Sequence, residues 1–202
     1  MQSIIFTQNR TGSTRLHKKW AYSIGDKTVL EWGLYHAEQA GMVVTLVPRG
    51  DELVGVLRDM GKEVYEAPKG VEDWDLMSRF MAAMHHYKPE ILVRITSDCP
   101  FVSPAVISHL IRKVEQEYDY ASNVPRQLDG SDVQVWSSAA FEYLNGYSDE
   151  NQLREHPGLA MDDIYTSRWK CHFYSDPYIN DKFPKMSIDT IEDFENIKAR
   201  FK

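Results

Sequence analysis

Short apolar runs alternate along the chain with longer segments of helical periodicity. Residues 4–7 predict a buried strand, and a polar, basic, glycine-containing loop over 8–19 follows it. Residues 28–40 predict a helix and 42–47 a second strand. A second helix over 51–61 stops at Gly61, and 63–66 form a short third strand. Over 73–87, Met77, Phe80, Met81, Met84 and Tyr87 recur at helical spacing and predict a core-facing stripe. Residues 91–95 read as a strand buried on both faces of a parallel sheet. Ser103 and Pro104 open a helix as N-cap and first helical residue. Its core face is Val106, Ile107, Leu110, Ile111 and Val114.

The texture changes after about residue 118. Residues 118–122 and 132–136 predict strands, the second with Val133 and Val135 alternating. A polar stretch covers 148–163, and a strand pair is expected over 171–174 and 185–188. A last helix follows Asp189-Thr190 and runs on Ile191, Phe194, Ile197 and Phe201. Alternating strands and helices with a mixed tail predict one three-layer α/β/α domain over 1–202, with a mostly parallel sheet. Such sheets bind ligands at the carboxyl ends of their strands, so the loops at 8–19 and 96–103 are expected to lie together.

Charge narrows the choice of partner. The 202 residues carry 23 Lys plus Arg against 30 Asp plus Glu, a formal net charge of −7. That balance argues against sequence-blind binding to nucleic acid or anionic membrane. Two cysteines, Cys99 and Cys171, make no disulfide framework and fit a reducing compartment. No apolar run approaches the ~20 residues of a membrane span. The apolar start at 4–6 is too short for a secretory signal, so a soluble cytoplasmic protein is expected.

Three segments can carry chemistry. Arg10-Thr11-Gly12-Ser13-Thr14-Arg15-Leu16-His17-Lys18-Lys19 gathers cations and a Gly-Ser turn after the first strand. Its side chains can neutralise phosphate and backbone N–H groups near Gly12 and Ser13 can cradle it, the alternative being a solvated basic loop. The segment lacks the glycines of a Walker A loop or a dinucleotide fingerprint. In Arg94-Ile95-Thr96-Ser97-Asp98-Cys99-Pro100, Asp98 stands just past a buried strand, as a Mg²⁺-binding carboxylate or as a turn residue. In Ser187-Ile188-Asp189-Thr190-Ile191-Glu192-Asp193, Thr190 and Asp193 form a capping box. Asp189 completes a pair with Asp98 only if the fold unites them. No zinc-ligand spacing is present, and Cys99 has no evident His partner for a nucleophilic role.

Taken together, these segments resemble the spore-coat polysaccharide biosynthesis cytidylyltransferase-like family, relatives of the CMP-sialic acid and CMP-Kdo synthetases. Gln8, Arg10, Gly12, Ser13, Arg15, Leu16 and Lys19 match the family's signature loop. Residues 94–100 resemble its Arg-Ile-Thr-Gly-Asp-Cys-Pro segment. Ser122-Asn123 with Asp129-Gly130 and Asp132-Val133, then Arg154-Glu155-His156, then Asp189-Thr190 with Glu192-Asp193-Phe194, resemble later segments. The chain departs from the pattern at His17-Lys18, where the family has Pro-Gly. It also departs at Val47-Pro48-Arg49-Gly50, and at a helix start only approximated by Glu72-Asp73, Leu76 and Arg79.

The resemblance implies a Rossmann-like sheet of the nucleotide-diphospho-sugar transferase kind. It implies CMP transfer from CTP, or another nucleoside triphosphate, to a sugar or sugar phosphate, with pyrophosphate released. Gln8, Arg10, Gly12, Ser13, Arg15, Lys19, Arg79 and Asp98 would bind nucleotide, with Arg15, Lys19 and Asp98 catalytic. Asp98 and Asp189 would hold Mg²⁺, and Asn123, Asp132, Arg154 and His156 would touch the acceptor. A homodimer is implied as well. Two alternatives stay open at this point: a glycosyltransferase using a nucleotide-sugar donor, and a non-catalytic nucleotide-binding module.

Overall fold

A computed structural model of the chain describes residues 1–12, 15–96, 98–124, 130–147, 151–164, 169–175 and 185–201. Strand β1 (Ser3–Gln8) buries four consecutive residues, because both its faces are covered. It pairs in parallel with β4 (Val43–Val47) on one side and β6 (Ile91–Thr96) on the other. The sheet extends through β5 (Val64–Glu66) at one edge. Beyond β6 come β8 (Val133–Ser137), β7 (Tyr120–Ser122) and β9 (Cys171–Phe173), giving the order β5-β4-β1-β6-β8-β7-β9. Only β8 runs against the other strands.

Helices cover both faces. Ile4, Phe6, Leu92, Tyr120 and Trp136 point to α3 (Leu76–Tyr87), α5 (Ser138–Tyr147) and α7 (Pro157–Ile164). Met77, Phe80 and Met84 on α3, Phe141 on α5 and Met161 on α7 join that core. Ile5, Val93, Ile95, Val133 and Val135 point the opposite way, onto α4 (Pro104–Gln116) and Ala37 of α1 (Val29–Glu38). Helix α2 (Leu53–Asp59) packs Leu53 and Leu57 on Val47 and α1. This is the predicted three-layer, mostly parallel α/β/α arrangement, with strand alternation dividing the two cores.

A satellite core places the functional segments. Leu16, Ile24 of the hairpin β2 (Ser23–Ile24) and β3 (Lys27–Thr28), Val29, Ile188, and Phe194 and Ile197 of α8 (Ile191–Lys198) pack together. The basic loop is thereby held against the chain around Asp189.

Several boundaries differ from expectation. Helix α3 begins at Leu76 rather than at 73, because the Asp75 side chain accepts from Ser78 N and caps it. The segment 185–188 is not a strand. Ile188 N donates instead to the carbonyl of Asp98 at 3.0 Å, and β9 pairs with β7. Within the polar stretch, α6 (Asn151–Glu155) and α7 are helical. Helix α5 directly follows β8. Among the described residues no helix is long and apolar enough to cross a membrane.

Candidate active site

The carboxyl ends of β1, β6 and β7 and the start of β8 open on one side of the sheet. Register pairs Gln8 with Thr96 and Ile95 with Val133, so the segments that follow or precede them share one rim. A cleft of about 530 Å³ lies there. Gln8, Arg10, Arg15, Lys19, Arg79 and Asp98 line one part of it, with Asp132, His156 and Asp189.

Lys19 is the centre of the rim. Lys18 just before it holds φ +48°, a left-handed conformation that favours glycine, at the position where the family pattern has glycine. The short 3-10 turn Lys19–Ala21 then carries Lys19 inward. Its Nζ donates to Asp98 Oδ2 at 2.9 Å and to the Ile188 carbonyl at 3.1 Å, and lies 3.9 Å from Asp189 Oδ1. The two candidate carboxylates thus meet on one ammonium. Arg15 pairs with Asp189 Oδ1 at 2.8 Å, and Lys185 with Asp189 Oδ2 at 2.9 Å.

Burial presses the Asp98 carboxyl toward its neutral form, but the Lys19 charge and hydrogen bonds from Lys19 and Thr96 prevail and hold it below the usual carboxylate range. Beside it, burial and the charges of Asp98 and Asp132 push the Cys99 thiol well above its ordinary value, so it stays protonated. Asp193 is a cap. Burial opposes its charge, yet Lys185 and the backbone N–H groups of Asp189 and Thr190 bring it down to about 2.

The start of the basic loop is anchored by a carboxylate. Thr11 donates both its backbone N–H (2.9 Å) and its hydroxyl (3.2 Å) to Asp51 Oδ2, whose other oxygen accepts from Leu53 N. Gly12 is exposed and is not among the cleft-lining residues; Ser13 and Asp129 lie outside the described residues. Arg79 is 1% exposed and donates to the Asp73 carbonyl at 2.8 Å, while its Nε has no partner among the described residues.

Two residues expected to touch the acceptor, Asn123 and Arg154, are not among those lining the cleft and are engaged by protein groups. Asn123 is fully buried, donates to the Ser131 carbonyl and accepts from Val133 N, so it latches the turn before β8. Arg154 reaches Asp75 Oδ2 at 3.1 Å and Ser78 Oγ at 2.7 Å, tying α6 to the cap of α3. Arg154→Ala is therefore expected to cost about 1–3 kcal/mol in urea unfolding. Unchanged affinity for the sugar acceptor is expected from a purely bracing residue, and a loss of that affinity at unchanged stability would show that Arg154 also touches the acceptor.

Sequence reasoning gave no role to Arg94, Gln134 or Gly158, all of which line the cleft. For Arg94 the signal was present, since a charge inside an otherwise apolar strand must be answered by a partner.

Among the described residues no group of three or more His, Cys, Asp or Glu side chains could hold a metal. The pair Asp98 and Asp189, already sharing a cation, nonetheless suits Mg²⁺. That ion takes one or two carboxylates and completes its shell with water and substrate phosphates. Zinc would require a fuller nitrogen or sulfur set.

Comparison with known proteins places this arrangement. The cytidylyltransferase family profile matches residues 4–199. The spore coat polysaccharide biosynthesis protein SpsF of Bacillus subtilis is 24% identical over all of this chain and 87% of its own length. An uncharacterised protein of Methanocaldococcus jannaschii is 29% identical over 96% of this chain and 81% of its own. A cytidylyltransferase structure from Leptospira borgpetersenii superposes with a TM-score of 0.87 at 25% identity, covering 98% of this chain and 86% of that one. A CMP-2-keto-3-deoxy-manno-octonic acid synthetase solved with CTP superposes at 0.76 with 14% identity, covering 99% and 98%, and shares the fold. With the family profile spanning residues 4–199, the chain belongs to the cytidylyltransferase family and is a nucleotidyltransferase.

Proposed function

We propose that the protein transfers CMP from CTP to a sugar or sugar phosphate and releases pyrophosphate, in the cytoplasm and as a homodimer, for surface polysaccharide or glycan synthesis. The observation that carries this reading is the rim where Lys19 bridges Asp98 and Asp189 beside Arg15. Cations and carboxylates there are paired with each other, and a polyanion with its counter-cation exchanges those pairs for new ones.

Arg10, Arg15 and Lys19 would take the triphosphate oxygens, and Gln8 and Arg79 the remainder of the nucleotide. Asp98 and Asp189 would hold Mg²⁺, which supplies positive charge to phosphate oxygens when bound. The acceptor oxygen bonds to the α-phosphorus as the bond to the α,β-bridging oxygen breaks, and an attacking hydroxyl passes its proton to water. Lys19 and Arg15 steady the charge that accumulates on the departing pyrophosphate. Asp132 and His156, which also line the cleft, would touch the acceptor. Holding the two reactants in line adds to the acceleration by removing the entropy cost of bringing them together.

Calorimetric titration with CTP, UTP, ATP and GTP, with and without Mg²⁺, tests the reading. CTP is expected to bind tightest and to gain from the metal. Equal affinity for all four would remove the cytidine assignment, and tight binding indifferent to Mg²⁺ would remove the metal pair.

A further inference from the structure

The basic loop is gripped from outside the cleft. Thr11, the residue after Arg10, gives both its backbone N–H and its hydroxyl to one oxygen of Asp51, 40 residues further along the chain. The other Asp51 oxygen accepts from Leu53 N at 2.9 Å, in the first turn of α2. Asp51 is itself set by a tight turn. Its N–H donates to the Pro48 carbonyl at 3.3 Å, and Gly50 within that turn holds φ +74°, which favours glycine. The turn leaves the end of β4 beside the start of the basic loop, where Asn9 N donates to the Leu46 carbonyl at 2.9 Å. Arg10 and Arg15 of the loop line the cleft, whereas Thr11 and Asp51 do not.

Two donors of one residue on one carboxylate oxygen fix the backbone of Thr11 as well as its side chain, and hydrogen bonds to an ionised acceptor are the stronger kind. The next residue, Glu52, pairs with Lys18 near the far end of the loop at 2.9 Å, but both side chains are about half exposed and such a pair contributes little. Asp51 is also within electrostatic reach of the cleft. Burial works against the charged form of Arg79; Asp73 favours it, Arg10 opposes it, and Asp51 and Asp75 favour it. Through space, a carboxylate there repels a polyanion. Through Thr11, it orders the loop whose cations would receive one. The two effects have opposite signs, so a measurement separates them.

We infer that Asp51 is a positioning residue for the triphosphate: by gripping Thr11 from outside the cleft, it holds Arg10 and the basic loop in the conformation that receives the phosphates. The inference rests on the triphosphate reading of that loop. Its test reads the loop and the ligand separately.

The full chain and its Asp51→Ala variant are titrated calorimetrically with CTP and with CMP, each with Mg²⁺. Partial unfolding lowers the number of binding sites, whereas misplacement of the loop lowers the affinity of the sites that remain. Asp51→Ala is expected to bind CTP roughly tenfold more weakly, and CMP less than about twofold more weakly. Loss of the negative charge alone would tighten CTP instead. Limited digestion with trypsin, without ligand, reads the loop itself. Cleavage after Arg10, Arg15, Lys18 or Lys19, located by mass spectrometry, is expected to be several-fold faster in the variant. Should Asp51→Ala lower the thermal midpoint sharply, Thr11→Val removes only the hydroxyl from the grip and leaves the Leu53 bond in place. It is expected to weaken CTP several-fold, while Thr11→Ser matches wild type. CTP affinity unchanged or raised in Asp51→Ala overturns the inference. So does an equal loss for CTP and CMP, or unchanged CTP affinity in Thr11→Val. A wild-type protein that binds CTP no better than CMP, yet whose loop is cleaved faster in Asp51→Ala, would overturn the triphosphate reading and retain the grip on the loop.

Discussion

Asp98→Asn is expected to lower the rate of pyrophosphate release by roughly 10²–10³-fold or more, the scale of losing one preorganised electrostatic contact in a reaction of this kind. Asparagine fills the same space but carries no charge for a metal or for Lys19. Lys19 would still donate to the Ile188 carbonyl and lie near Asp189, so the rim keeps its shape. The Asp98 carbonyl, which accepts from Ile188 N, is unaffected by the change. Stability is therefore expected to fall by no more than about 1–3 kcal/mol. Steady-state rates set beside thermal midpoints check both halves. A folded variant turning over at the wild-type rate would show that Asp98 is not part of the chemistry.

The second large effect is expected at a glycine in the turn before β8. Gly130 holds φ +101°, and a Cβ there would stand 2.0 Å from Ser187 N and 2.2 Å from the Met186 carbonyl carbon. Both contacts are backbone, so no side-chain rotation relieves them. The segment they belong to continues directly into Ile188 and Asp189. Gly130→Ala is expected to cost about 3 kcal/mol or more, the sum of an unfavourable φ and overpacking. It should also displace Asp189 from Lys19 and so reduce activity in the fraction that folds. Urea unfolding together with rates normalised to folded protein reads both effects. A variant as stable and active as wild type would show that the turn at 130 does not position the carboxylate.

The sequence made the local parts of this account legible. Buried strands such as 4–7 and the methionine stripe of α3 announce themselves by period, because each is decided by its own neighbours. The Thr190-Asp193 capping box was equally visible, being contained within four residues. What escaped depends on distant partners. The segment 185–188 resembles a strand, yet Gly130 and the Asp98 carbonyl claim it, while β9 takes the free edge of β7. Helices α5 to α7 leave little trace in the sequence, because short helices signal weakly when tertiary packing supplies their stability.

The site divides in the same way. Lys19 and Asp98 could be nominated from their motifs, but their contact joins positions 79 apart and depends on the sheet order. Asn123 and Arg154 fit the motif pattern as well, and nothing in composition or spacing reveals that their side chains brace backbone and helix caps. Arg94 stands inside a motif that gives it no task of its own. Only the assembled cleft shows its guanidinium held by the side chains of Gln8 and Gln134.

The central claim is that this cleft performs metal-assisted transfer of CMP from CTP. Pyrophosphate release from each of the four ribonucleoside triphosphates, with a mixture of neutral and acidic sugars and with or without Mg²⁺, tests it most directly. The account predicts release from CTP well above the other three, dependent on both sugar and Mg²⁺, with CMP recovered on the sugar. Release from all four alike, or none from CTP under conditions where CTP binds, would contradict it.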